Sequence, residues 1–157
     1  MFDRLQAFFQ TLTSEKDEQP FGHGDPRVAV TALCLQVMEA DGVVRDSEKA
    51  KLRQLLTENY TLSNQELNAL LDAGQRAENE AIDYFRFTSD LNRKLDEEQK
   101  KHLIGILWDI VYADGDRSEL EDHVVWRISE LLGVSNREHV MERLDAASRA
   151  EPPEKAG

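Results

Sequence analysis

Apolar residues recur along this chain at helical spacing. Phe2, Leu5, Phe8, Phe9 and Leu12 form one stripe over residues 1–12. The stretch TSEKDEQPFGHGDP follows; its two glycines, two prolines and several charges read as a linker. Asp25 then reads as an N-cap, with Pro26 at the first helical position. From Arg27 to Ala40 nearly every residue is apolar or small, as a helix buried on all sides requires, and Gly42 marks its end. The next helix starts near Asp46 and turns Leu52, Leu55 and Leu56 inward. Ser63 and Glu66, at capping-box spacing, open another that carries Leu67, Leu70 and Leu71. A further helix near 79–93 turns Ile82, Phe85 and Leu91 inward. The full expectation is helices near 27–40, 47–58, 64–74, 79–93, 97–113, 119–132 and 136–148.

The pattern repeats at an offset of 73 residues. VTALCLQVMEADG (30–42) lies over LIGILWDIVYADG (103–115), pairing Leu33 with Ile106, Cys34 with Leu107 and Val37 with Ile110. Beyond the Asp-Gly, Glu48 pairs with Glu121, Leu52 with Val125 and Leu55 with Ile128. With one inserted residue, LSNQELNALLDAG echoes VSNREHVMERLDAA. The economical reading is an all-α fold of about seven helices, built by internal duplication of a three-helix unit. Neither unit buries its apolar face alone, so the two are expected to pack as one domain. The expected boundaries are 1–24 for the N-terminal amphipathic helix and linker, 25–149 for the domain, and 150–157 for a tail (AEPPEKAG at 150–157) with no reason to order.

Charge narrows the partners. With 31 acidic against 19 basic residues, the formal net charge is -12. That surplus repels nucleic acid and is compatible with cations or a basic protein surface. The one cysteine, Cys34, excludes an intrachain disulfide and a cysteine zinc site, and its apolar setting points to core packing. The longest apolar run, LIGILW, is too short to span a membrane, and residues 1–12 lack an apolar signal core, so a cytoplasmic protein is expected. The stripe on residues 1–12 reads as a docking or core helix, with peripheral membrane contact as the alternative.

Each unit carries ADG followed by a glutamate seven positions after the Asp: Asp41 with Glu48, and Asp114 with Glu121. In EF-hand numbering these are loop positions 5 and 12, with Gly42 and Gly115 at position 6. Position 1 is Val37 or Ile110, so the first Asp ligand is missing and a single loop offers too few oxygens for calcium. Two loops facing each other would pool Asp41, Glu48, Asp114 and Glu121 into a site for calcium, magnesium or manganese, with Asp46 and Glu119 able to extend it. The competing reading is local: an acid near a helix N-terminus satisfies its free N–H groups and its dipole. His102, His123 and His139 are dispersed and show no zinc spacing, and Trp108 and Trp126 read as packing residues. Paired carboxylates can do acid–base work, but no nucleophile, phosphate loop or oxyanion donor stands beside them, so no enzymatic activity is expected.

These residues carry a resemblance. LNRKL, QKKHLIGILWDIVYADG and ELEDHVVWRISELLGV in the second unit, and VMEADGVVRDSEKAKLRQLL in the first, resemble the TerB-like proteins, named for tellurite-resistance protein B. The resemblance covers about residues 25–148, and its wording is nearer to the stand-alone branch than to the tellurite-operon protein. It implies an all-helical fold, a metal site built from the repeated acids, a role related to stress or tellurite resistance, and no established enzymatic activity. A related domain precedes a J-domain in some co-chaperones; HGDP at 23–26 is not a His-Pro-Asp motif, so that activity is not carried over. The function expected is non-enzymatic: binding of a divalent cation, or docking of a protein partner by a helical module whose acids are only caps.

Overall fold

The computed structural model describes residues 25–81, 85–113 and 119–150, except for the Phe85 side chain. The readings made for residues 1–24, for Ile82 and Phe85, for Asp114 to Ser118 and for the tail at 151–157 lie outside what is described. Seven helices and no strand occur among the described residues: α1 (Pro26–Met38), α2 (Asp46–Tyr60), α3 (Asn64–Glu80), α4 (Phe85–Lys94), α5 (Glu97–Val111), α6 (Glu119–Leu132) and α7 (Asn136–Ala150).

The N-terminal signals act as their chemistry dictates. Asp25 accepts a 2.9 Å hydrogen bond from the Arg27 backbone N–H, and Pro26 opens α1. Ser63 accepts from the Glu66 N–H at 3.2 Å while Glu66 accepts from the Ser63 N–H at 2.9 Å, a reciprocal capping box. Gly42 takes φ +82°, the left-handed conformation that lets the chain turn out of α1 toward α2.

α1 and α5 form the centre. Leu33, Cys34 and Val37 of α1 and Leu103, Leu107 and Ile110 of α5 are fully buried, as their unbroken apolar runs require. α1 packs chiefly on α3, and α5 chiefly on α7; α4 bridges α1 and α6.

One boundary departs from expectation. The third helix does not end at Gly74 but continues to Glu80, and α4 is described from Phe85. Gly74 is buried against α1, and a Cβ there would lie 2.8 Å from the Thr31 Cβ. The glycine serves a close helix–helix approach rather than a stop. Thr31 turns its hydroxyl back to the Arg27 carbonyl at 2.8 Å, leaving its methyl against Gly74.

Candidate functional site: an acidic junction between two helix starts

The turn after α1 and the first turns of α2 and α6 bring three of the four predicted acids together. Glu48 lies in the first turn of α2 and Glu121 in the first turn of α6, and both are buried, 1% and 0% exposed. The two carboxyls are close enough to act on each other's proton affinity. Asp41 stands at the rim, where its Oδ1 accepts from the Val43 N–H at 3.0 Å. Asp114 lies outside the described residues. Asp46 and Glu119, the first residues of their helices, are exposed.

Arg45, which sequence reasoning did not single out, sits among these acids. Its guanidinium donates to Asp41 Oδ2 at 3.2 Å and to Glu121 Oε2 at 3.4 Å. Its backbone N–H points at Glu48 Oε1 at 3.5 Å, so Glu48 also closes the start of α2. The signal was present: Arg45 is four residues from Asp41, in the same short turn between α1 and α2.

Burial sets the electrostatics. Removing a carboxylate from water costs several kcal/mol unless partners replace the lost solvation, so burial favours the neutral acid. Desolvation, then the hydrogen bond and charge of Glu48, push Glu121 up to about 9, with Arg45 pulling the other way. Glu48 is also raised, first by burial, while the bonds from Glu121 and from the Arg45 backbone oppose the rise. Both shifts favour holding a proton in the pair near neutral pH, chiefly on Glu121. The proton and Arg45 together hold three carboxylates at about one net negative charge.

All the donors at this junction are carboxylate oxygens, a set that suits hard cations and not soft metals. Among the described residues, no group of three or more His, Cys, Asp or Glu is arranged to hold a metal ion. The guanidinium occupies part of the space where a cation shared by Asp41 and Glu121 would sit.

A second polar cluster escaped the sequence reading. The Trp108 Nε1–H donates to His139 Nε2 at 2.9 Å, and Trp126 stacks on the imidazole at 3.6 Å between centroids. Arg143 lies 4.8 Å from the Trp108 ring and donates to the Tyr112 hydroxyl at 3.0 Å. His139 is fully buried, and burial lowers its pKa to about 4, assisted by Arg143. The signal lay in the internal echo, in which His139 stands where the first unit has the core residue Leu67. Trp108 and Trp126 are packing residues, as expected.

No helix among the described residues is long and apolar enough to cross a membrane. The model of one protein family, described as tellurite resistance protein TerB, matches residues 27–144. No curated protein and no solved structure matches the chain.

Proposed function

Since the chain belongs to the TerB family, we propose that it is a non-enzymatic, tellurite-resistance-related binding protein whose acidic junction takes a divalent cation. The observation that carries this reading is the burial, side by side, of Glu48 and Glu121, one from each acidic loop. Burial raises both carboxyls, and Glu48 raises Glu121 further; a cation would relieve that repulsion and the desolvation. Asp41, Glu48 and Glu121 would supply oxygens, with Asp114 as the fourth acid and water completing the shell of calcium, magnesium or manganese. Cys34 is not available as a nucleophile to the acids: it is fully buried, and its thiol is pushed up to about 12.

A specific observation favours the capping alternative. Glu48 already accepts at the start of α2, and Arg45 already contacts Asp41 and Glu121. In that reading the acids organise helix starts, and the functional surface of the module is elsewhere.

Titration with calcium and with manganese, followed by amide NMR and by thermal unfolding, separates the two. Cation binding predicts saturable shifts at Gly42 and in the first turn of α6, with Kd in the micromolar to millimolar range, on the order of a partly formed oxygen site. The melting temperature should rise with cation concentration by mass action. Both responses should vanish in Glu121→Gln. Shifts that do not saturate, or that persist in Glu121→Gln, leave the acids as caps.

A further inference from the structure

On the side of α2 away from Leu52 and Leu55, a hollow of about 400 Å³ opens between α2, α5 and the end of α7. We propose that it binds a small carboxylate that also carries a hydrogen-bond donor, the composition of a hydroxy acid or an amino acid. Its polar walls come from Ser47, Lys51 and Gln54 of α2, Asp109 of α5 with Tyr112 just past its end, and Arg149 of α7. The spacings on α2, four and three residues, put its three side chains on one face of the helix. Ala50 of α2, Ala113 after α5 and Ala150 of α7 also line it, where longer side chains would fill the space.

The charges there differ from those of the rest of the chain. Two cations and one carboxylate line the hollow, in a protein of net charge -12. Asp109 is only 7% exposed and is held by Arg149, whose Nε and Nη2 donate to the same oxygen, Oδ1, at 3.1 and 2.9 Å. That pair cancels itself. Lys51 makes no ion pair among the described residues, yet its charge acts on Asp109 from across the hollow. The balance is one positive charge, which selects a monoanion.

Recognition follows from the groups present. The ligand carboxylate accepts from Lys51 Nζ. Arg149 uses one edge for Asp109 Oδ1, and Oδ2 is left to accept from a hydroxyl or ammonium on the ligand. The alanine methyls and the Tyr112 ring take the carbon skeleton. A cavity of this volume is at the small end of ligand sites, which are commonly about 300–1,000 Å³. The site is separate from the acidic junction: Ser47 and Lys51 face it, while Glu48 and Leu52 point into the core.

The test is a titration of the full chain with lactate, L-serine, propionate and ethanolamine at pH 7, read by amide NMR. Lactate or L-serine should shift Ser47, Lys51 and Tyr112 saturably, with Kd near about 1 mM, and propionate should bind about fivefold more weakly. Ethanolamine should leave these amides unmoved. Lys51→Met keeps the aliphatic stem and removes the charge; it should weaken lactate binding about tenfold or more without changing the melting temperature. Asp109→Asn, which retains the shape, should erase the difference between lactate and propionate. The proposal is overturned if no carboxylate gives saturable shifts, if ethanolamine moves the same amides, or if Lys51→Met binds lactate as the wild type does.

Discussion

Acidification should loosen this fold through His139 in a way that one substitution can isolate. The imidazole is fully buried between two indoles, and Nε2 accepts the Trp108 N–H. Protonation would set two donors against each other at a fully buried ring. Arg143, on its own helix, disfavours a second positive charge, and Asp122 of α6 pairs with the Arg143 guanidinium at 3.8 Å. The folded pKa is about 4, against the ordinary value of 6.5. The sign follows from linkage: as pH falls through about 6.5 the unfolded chain takes a proton that the folded chain refuses, and stability drops until the folded pKa is reached. The depression corresponds to a loss of about 3 kcal/mol between pH 6.5 and 4, at about 1.4 kcal/mol per unit. His102, also lowered to about 4 by burial, contributes a second loss of the same sign. The raised carboxyls, Glu121 among them, act oppositely over the acid range. Wild type and His139→Gln share all of these other groups, and the Gln oxygen can still accept from Trp108. Urea unfolding at several pH values from 7 to 4, followed by circular dichroism, should show the wild type losing about 3 kcal/mol more than the variant over that window. Parallel pH dependences would refute the argument and mean that the Trp108–His139 bond does not persist in solution.

Three further outcomes follow from packing and capping. Gly74→Ala should lower stability by about 1–3 kcal/mol in chemical unfolding, because its methyl enters the space of Thr31 where α1 and α3 meet. Ser63→Ala should cost about 1 kcal/mol by removing the acceptor at the start of α3, measurable in the same experiment. Cys34 should resist a thiol reagent in native buffer and react only on unfolding, since the thiol is fully buried and its pKa is raised to about 12; rapid native labelling would mean that α1 opens locally.

The helices were legible because their signals are local and agree. Asp25-Pro26, Ser63 with Glu66, and the apolar runs of α1 and α5 each state one thing, and α6 begins and ends where its pattern does. Gly74 was read as a boundary because a sequence cannot distinguish a glycine that ends a helix from one that admits a neighbour; Thr31, 43 positions away, decides it. At the acidic junction the repeated spacing named the carboxylates, and Glu48 and Glu121 do meet. Their depth was not legible. An acid in the first turn of a helix is ordinarily solvated, and here the docking of α2 and α6 against the two central helices removes the water. Arg45 was passed over for a related reason: the repeat drew attention to what the two halves share, and at the corresponding place the second half has Ser118.

That difference bears on how the junction keeps its charge balance. Buried carboxylates can be neutralised by protons, by a fixed cation or by a bound one, and the first two are already present: a shared proton on Glu121 and Glu48, and the guanidinium on Asp41 and Glu121. A divalent cation must therefore displace a proton and loosen an arginine, which makes its affinity weaker than the acid count implies and dependent on pH. The dependence has a definite sign. Raising the pH toward the Glu121 value removes the competing proton and strengthens cation binding, while the apo junction becomes less stable because the folded carboxyls hold their proton more tightly than the unfolded ones. A junction serving only as a pair of caps would show the loss of apo stability without the gain in affinity. Its Arg45 would then be the permanent counterion of the two loops rather than a group that yields to a metal.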